Sequence, residues 1–191
     1  MEPIVRFSGI DLIVACDVAT SFLNAPSIFG PQKGATEAQI ELLKRRLSLL
    51  AEMYLDEYGV DVTNMPRSGA AGGLAGGLAA VGARLVDGFD LIAEEVELED
   101  AMSTADLVIT GEGRLDSESF NGKVVGGVAV IAERHDVPVV AVVGERDPET
   151  TVPEGISVVS LIESFGSERA FQETIACLIS VGSRIISSSA P

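Results

Sequence analysis

The stretch ADLVITGEGRLDSESFNGKVVGGVAVIAERHDVPVVAVVG, residues 105–144, predicts one strand–helix–strand unit. Residues 105–110 and 137–144 are short apolar runs, and residues 121–134 between them have the apolar spacing of a helix. Short strands without polar alternation are typical of a parallel sheet that is covered on both faces. This stretch therefore predicts an α/β fold.

The pattern continues toward the C-terminus. Residues 157–162 predict a weaker strand, and residues 168–186 predict a closing helix. From residue 105 onward the predicted order is strand, helix, strand, strand, helix, which favours a parallel sheet.

The first part of the chain also begins with a strand, because residues 12–18 (LIVACDV) form an apolar run that ends near Asp17. A long helix is expected to begin at Thr36, where Gln39 would complete a capping box, and to end at Gly59.

Two further helices are predicted before residue 105. The small-residue run 69–86 is expected to form one helix, and residues 98–103 are expected to form a short second one.

The balance of charge limits the partners of this protein. Lys and Arg number 13 against 29 Asp and Glu, a formal net charge of −16. Such a field repels nucleic acid and anionic membranes, so we expect neither as a partner. An anionic ligand would need a few local cations, backbone N–H groups or a bridging divalent metal. The cations to follow are Lys33, Arg67, Arg114 and Lys123.

Cysteine usage and hydropathy indicate the compartment. Cys16 and Cys177 show neither metal-ligand spacing nor a disulfide framework, which predicts a reduced, cytoplasmic protein. Residues 1–18 lack the features of a signal peptide, and the apolar run 68–83 is too short and glycine-rich for a membrane span.

Ligands of parallel α/β sheets gather at the carboxyl ends of the strands. Three such ends are predicted here: Asp17, the loop formed by residues 111–116, and the loop after Gly144. We expect the chemistry of the protein at these loops rather than on its helices.

Residues 111–123 fail two common tests for a phosphate loop. A Walker A loop needs Gly-x-x-x-x-Gly-Lys-Ser/Thr, but Ser117 replaces its first glycine and Val124 follows the lysine. A dinucleotide fingerprint would need glycine at Asp116. Two interpretations stay open, a polar loop with a helix cap or an anion site at the helix N-terminus. Glu112 and Asp116 could also ligate Mg²⁺.

The remaining motifs leave similar alternatives. The glycines near Gly72 either allow close helix packing or let a phosphate approach the backbone. Lys33 lies in a turn, and His135 is expected near the surface without a catalytic triad. Ser117 and Ser119 are expected to be helix caps rather than nucleophiles.

Taken together, five segments resemble the bacterial type I glycerate kinase family in their order and spacing. They are VACDV (14–18), FGPQKGAT (29–36), SGAAGGLAGGL (68–78), ADLVITGEGRLDSESFNGKVVGGVA (105–129) and VPVVAVVG (137–144). The resemblance runs from about residue 12 to the C-terminus.

The resemblance implies an enzyme that phosphorylates D-glycerate with ATP and a divalent metal to give a phosphoglycerate. It also implies two α/β lobes with the active site in the cleft between them. Residues 1–104 would be part of the second, inserted-type α/β domain. Residues 105–191 would be the C-terminal part of a Rossmann- or flavodoxin-like domain with a parallel sheet. Because the resemblance covers the family's C-terminal half, this fold would be incomplete relative to the family.

The resemblance implies which residues line that cleft. The implied catalytic residues are Asp17, Arg114, Asp116 and Lys123. The implied substrate- and nucleotide-binding residues are Lys33, Gly34, Gly72, Gly73, Gly111 and Gly113. Glu112 and Asp116 would hold Mg²⁺.

The implied partners are the small-molecule substrate D-glycerate and either a second copy of the chain or an N-terminal half. One alternative is a non-catalytic relative that binds a nucleotide or sugar acid or serves as an assembly domain. A weaker alternative is another small-molecule phosphotransferase on the same scaffold.

Overall fold

A computed structural model describes residues 9–120 and 123–189 and shows an α/β protein whose sheets are parallel, which confirms the predicted fold class. The chain divides into two compact units, Met1–Leu91 (unit 1) and Ile92–Pro191 (unit 2). Among the described residues, no helix is both long and apolar enough to cross a membrane.

Unit 1 contains a two-stranded parallel sheet in which Ile13 is in register with Arg84 and Cys16 with Asp87. Its elements are β1 (Ile13–Cys16), α1 (Ala25–Phe29), α2 (Glu37–Tyr58), α3 (Leu74–Ala80) and β2 (Arg84–Asp87), and α4 (Gly88–Glu95) spans the division between the units.

Helix α2 begins and ends as the sequence predicts. The Thr36 side chain accepts the N–H of Gln39, and the Gln39 side chain accepts the N–H of Thr36, so the capping box is complete. Gly59 ends the helix in the left-handed conformation (φ 70°). The predicted long helix is confirmed.

The single helix predicted over residues 69–86 is wrong. Ala71, Gly72 and Gly73 have φ values of 52°, 72° and 104°, so the backbone leaves the helical region before α3 begins. After α3, residues 84–87 form β2, because they pair with β1. Small-residue spacing suggested a helix, but the contact with a strand some 70 positions earlier decides the conformation.

Unit 2 contains a three-stranded parallel sheet in the order β3-β4-β5. Its elements are α5 (Leu98–Met102), β3 (Val108–Leu115), α6 (Val124–Arg134), β4 (Val139–Arg146), β5 (Ile156–Ser160), α7 (Leu161–Phe165), α8 (Ser167–Gln172) and α9 (Thr174–Ser189). The predicted order of strands and the parallel sheet are confirmed.

Both faces of this sheet are covered. One face packs on α6 through a cluster of buried side chains, Leu115, Val125, Ala141 and Val143. The other face packs on α7 to α9 through Val140, Val142, Leu161, Ala170, Cys177 and Val181. Apolar contacts therefore hold the sheet on both faces, and polar side chains lie at the ends of its strands.

The loop predicted at residues 111–116 is wrong for most of its length. β3 continues to Leu115 because Glu112 stays in register with Val143 and Leu115 with Arg146. The predicted closing helix is also interrupted, since α8 ends at Gln172 and α9 begins at Thr174. The predicted helix start at residue 121 lies outside the described residues, and α6 is described from Val124.

The compact units divide after Leu91; the domain boundary after residue 104 that the resemblance implies stays a prediction. Helix α5 packs on α6, and its Glu99 Oε1 lies 3.5 Å from Arg134 Nη1 and 3.4 Å from His135 Nε2. These contacts join the segment before β3 to unit 2.

Candidate functional site

The strands β3 and β4 of unit 2 end side by side and bring charged residues to one edge of the sheet. Arg114 Nη2 lies 3.6 Å from Asp147 Oδ2, and both side chains are partly exposed. The backbone N–H of Asp147 donates to the carbonyl oxygen of Leu115 over 2.9 Å, which fixes the start of the loop after β4. This edge is where ligands bind to parallel α/β sheets.

Glu112 lies within β3, before the strand ends at Leu115. Its Oε1 is buried and has no hydrogen-bond partner within the described residues, although buried polar atoms are normally paired. Glu112 lines a cavity of about 420 Å³ together with Gly113, Gly144 and the α9 residues Leu178 and Gly182. A bound cation would satisfy a carboxylate in this position.

Asp116 shapes the turn between β3 and α6. Its Oδ1 accepts the N–H of Glu118 over 2.9 Å, and its own N–H donates to Ser119 Oγ over 2.9 Å. Ser119 is fully buried, and its hydroxyl is engaged by the Asp116 N–H within this turn. The oxygen in the capping position is Asp116 Oδ1 rather than Ser119 Oγ. The Asp116 carboxylate is thus held by the turn and lies directly after the strand end.

Lys123 precedes the first residue of α6 in extended backbone (φ −96°, ψ 173°), and its carbonyl oxygen accepts the N–H of Gly127 over 2.8 Å. Its side chain is exposed. Because α6 follows β3 along the chain, the start of α6 is expected at the same edge of the sheet as the end of β3.

The two glycines of β3 differ in their surroundings. A Cβ added to Gly111 would collide with the Val142 carbonyl oxygen of β4, so the close approach of the strands requires glycine. Gly113 has open space beside it and is exposed. Of the two predicted binding glycines, Gly113 leaves its backbone accessible, and Gly111 also serves strand packing.

In unit 1, the predicted residue Asp17 directly follows β1 and is exposed. Asp87, the last residue of β2, lies 3.1 Å from Arg67 (Oδ2 to Nη2). Burial raises the pKa of the Cys16 thiol; the charge of Arg67 lowers it, and those of Asp17 and Asp87 raise it. Three charged groups therefore act on one thiol at the carboxyl end of this sheet.

Asp87 was missed by the sequence analysis. The signal was present, since RLVD (84–87) is a short run that ends in an aspartate, as VACD (14–17) does. The prediction of one helix over residues 69–86 concealed it.

The other predicted residues of unit 1 lie in turns. Lys33 and Gly34 are exposed, and Gly34 has a left-handed backbone (φ 78°) with open space beside it. Gly72 is likewise open, whereas a Cβ on Gly73 would lie 2.9 Å from Cε2 of the buried Phe22. Gly73 is therefore required for packing, and Gly72 leaves backbone exposed.

The described residues contain no cluster of three or more His, Cys, Asp or Glu side chains that could hold a metal ion. A Mg²⁺ ion commonly takes only one or two carboxylates from the protein and completes its coordination with water and phosphate oxygens. Glu112 Oε1, which is buried and has no hydrogen-bond partner within the described residues, fits that smaller requirement. Asp116, the second predicted metal ligand, lies four residues further along the chain, just after β3 ends.

The glycerate kinase family matches residues 3–189 of this chain. The glycerate 2-kinase of Escherichia coli K12 is 41% identical over 167 residues, which are 83% of this chain and 44% of that protein. The glycerate kinase of Halalkalibacterium halodurans is 41% identical over 143 residues, 73% of this chain and 38% of that protein.

The structure is similar to a crystal structure described as "putative glycerate kinase 2 from Salmonella typhimurium LT2". The TM-score is 0.64 and the sequences are 36% identical, with 94% of this chain and 51% of that chain covered. The chain thus spans about half the length of the curated relatives it matches.

Proposed function

Because the chain belongs to the glycerate kinase family, we propose that it carries phosphoryl-transfer residues of an ATP-dependent glycerate kinase. The reaction moves the γ-phosphoryl group of ATP to a hydroxyl of D-glycerate and gives a phosphoglycerate. The observation that carries this proposal is in unit 2. Glu112, within β3, has a buried carboxylate oxygen with no hydrogen-bond partner among the described residues, and Asp116 and Lys123 follow the strand.

Phosphoryl transfer depends on positioning and on stabilising negative charge, so it needs metal, cations and an oriented hydroxyl. Glu112 and Asp116 would hold Mg²⁺, which neutralises charge on the phosphates when it is bound. Lys123 acts as a point charge on phosphate. Arg114 is exposed and only 3.6 Å from Asp147, so its guanidinium can turn toward a phosphate or carboxylate.

In this proposal, residues of unit 1 act on the glycerate hydroxyl that accepts the phosphoryl group and on the phosphate. Asp17 accepts the proton of the glycerate hydroxyl or holds the metal, and Lys33 provides a second point charge for phosphate. Gly34 and Gly72 have open space beside them and present backbone to the ligand. In unit 2, Gly113 likewise has open space beside it and presents backbone to the ligand.

We also propose a cytoplasmic location, in keeping with two buried cysteines that form no disulfide. The partner of the chain is a second copy of itself or a polypeptide equivalent to the rest of its longer relatives.

An ATP-coupled assay with D-glycerate and Mg²⁺ tests this function. It would use the chain alone and the chain together with the remaining part of the Escherichia coli glycerate 2-kinase. We expect Asp116→Asn and Lys123→Ala to lower kcat by roughly a hundredfold or more. Asp116→Asn removes a carboxylate that would hold Mg²⁺, and Lys123→Ala removes positive charge at the transferring phosphate. Lys44→Ala is the matched control, since Lys44 is on α2 and pairs with Glu41.

Turnover that survives both substitutions would contradict the assignment of Asp116 and Lys123. Binding of ATP or D-glycerate without turnover, under both assay conditions, would instead favour a non-catalytic nucleotide- or sugar-acid-binding domain.

A further inference from the structure

Arg67 carries a half-buried guanidinium group at the carboxyl end of the sheet in unit 1. Its Nη2 lies 3.1 Å from Asp87 Oδ2, and the two side chains are 29% and 18% exposed. Asp87 ends β2 in register with Cys16, the last residue of β1. Because ligands bind at this end of parallel strands, Arg67 is a cation in a position to meet one.

The backbone around Arg67 is held in place. Arg67 has a left-handed φ of 70°, a conformation that non-glycine residues keep only where their surroundings impose it. Its N–H donates to the carbonyl oxygen of Ala19 over 3.1 Å, and the N–H of Gly69 donates to that of Thr20 over 2.9 Å. Ser68 between them is fully buried, with its hydroxyl bonded to backbone carbonyls. These contacts fix where the Arg67 side chain starts.

Asp87 uses only part of the Arg67 guanidinium. Asp87 Oδ1 accepts the N–H groups of Phe89 (3.0 Å) and Asp90 (3.3 Å) at the start of α4. Only Oδ2 is therefore left for Arg67, and the contact involves a single nitrogen. A guanidinium has five N–H donors and binds an oxyanion best through two parallel bonds.

A second observation points to the same unused capacity. Arg67 Nε is buried and has no hydrogen-bond partner within residues 9–120 and 123–189. Buried donors are normally paired. An oxyanion that entered beside the guanidinium would supply the missing acceptor and complete the paired geometry that Asp87 cannot provide.

The negative net charge of the protein makes a partly buried cation such as Arg67 important for binding an anion. With a formal net charge of −16, the protein as a whole repels anions, so an anionic ligand needs a local cation. Asp17, Asp87 and Arg67 all act on the Cys16 thiol, and Arg67 is the positive member of this set. Asp87 offsets part of that charge, so recognition would depend on the guanidinium geometry more than on charge alone.

We propose that Arg67 is an oxyanion-binding residue of unit 1 and that Asp87 is its positioning residue. This inference rests on the proposed function, which supplies two oxyanions, the carboxylate of the sugar acid and the phosphates of the nucleotide. Guanidinium groups bind both through paired N–H···O bonds, and the experiment separates the two sources.

Steady-state kinetics would compare Arg67→Ala, Arg67→Lys and Asp87→Asn with the unaltered chain in the coupled assay. We expect Arg67→Ala to raise the KM of one substrate roughly tenfold to a hundredfold, because charged hydrogen bonds to that substrate are lost. The KM of the other substrate should stay unchanged. Arg67→Lys keeps the positive charge but loses the paired N–H donors of the guanidinium, so its KM should lie between those of the unaltered chain and Arg67→Ala. The matched control is Arg84→Gln. Arg84 is the first residue of β2, the strand that Asp87 ends; its side chain is 61% exposed, and its Nη2 lies 4.0 Å from Asp11 Oδ2.

Asp87→Asn tests positioning. It should raise the same KM by a smaller factor, and the double variant with Arg67→Ala should be no worse than Arg67→Ala alone, because Asp87 acts through Arg67. Independent, additive effects would contradict the positioning role. If Arg67→Ala fails to fold by circular dichroism, Arg67→Lys and Asp87→Asn carry the comparison.

An NMR titration gives a readout without turnover. The Nε–H signal of Arg67, assigned by its loss in Arg67→Lys, would be followed with D-glycerate in one arm and a non-hydrolysable ATP analogue with Mg²⁺ in the other. We expect it to shift in one arm, which identifies the source of the oxyanion. A signal that moves in neither arm, or KM values equal to those of Arg84→Gln, would overturn the inference. Absent turnover with a shifting signal would reject the glycerate kinase activity and leave the Arg67 site standing.

Discussion

At the scale of single residues, the two glycines of β3 show that neighbouring positions in one motif can have different tasks. Gly111 faces the Val142 carbonyl oxygen of β4 so closely that no Cβ fits. Gly113 has no atom within 4 Å of the position that a Cβ would take. The first glycine is needed by the sheet, and the second leaves backbone free for a ligand.

We therefore predict opposite effects for two alanine substitutions. Gly111→Ala should lower the free energy of unfolding by about 1–3 kcal/mol, because the added methyl group overpacks the contact between strands. Gly113→Ala should change it by no more than about 0.5 kcal/mol, as is usual at exposed sites. Urea unfolding measures both. Equal losses would show that the two glycines have the same structural task.

At the scale of secondary-structure elements, β3 is longer than its composition suggests. The Gly-Glu-Gly sequence is typical of a turn, yet residues 111–115 continue the ladder with β4. As a result, Glu112 and Arg114 are held by a strand rather than by a loop. Catalytic side chains on a strand are positioned more precisely than side chains on a mobile segment.

Helix α2 provides a prediction about its first turn. Thr36→Ala removes the side-chain oxygen that accepts the Gln39 N–H, and we expect a loss of about 1 kcal/mol in the free energy of unfolding. Ser48→Ala on the same helix is the control, because Ser48 donates to the Lys44 carbonyl oxygen within the helix and such bonds add little stability. Thermal and urea unfolding would measure both variants. A loss no larger than that of the control would contradict the importance of the cap.

At the scale of the whole molecule, each compact unit has its own parallel sheet with charged groups at the carboxyl ends of its strands. In unit 1 these groups are Asp17, Arg67 and Asp87. In unit 2, Asp116 follows β3, Lys123 precedes α6, and Glu112 lies within β3. That both sets serve one reaction stays a prediction, which kinetics can test.

A double-mutant cycle addresses this prediction. Lys33→Ala and Arg114→Ala each remove one cation, from unit 1 and unit 2 respectively. If both act on the same transferring phosphate, their effects on kcat/KM should deviate from additivity by about 0.5 kcal/mol or more. Lys44→Ala combined with Arg114→Ala is the control and should be additive. Strict additivity of Lys33→Ala and Arg114→Ala would separate the two residues functionally.

The sequence by itself determined the α/β class, the order of the strands in unit 2, the limits of α2 and the family resemblance. These features depend on local periodicity, on capping residues such as Thr36 and Gly59, and on ordered motifs, all of which lie within short segments of chain. That residues 111–116 take part in the site stays a prediction.

Only the tertiary structure decided the extension of β3, the existence of β2 and the pairing of Arg67 with Asp87. Each depends on a partner remote in sequence, since β2 needs β1 and Arg67 meets an acid 20 positions away. Only the position of β4 distinguishes Gly111 from Gly113. Local patterns specify which conformation a segment prefers, but the neighbour across the sheet determines which preference prevails and which side chain is left for a ligand.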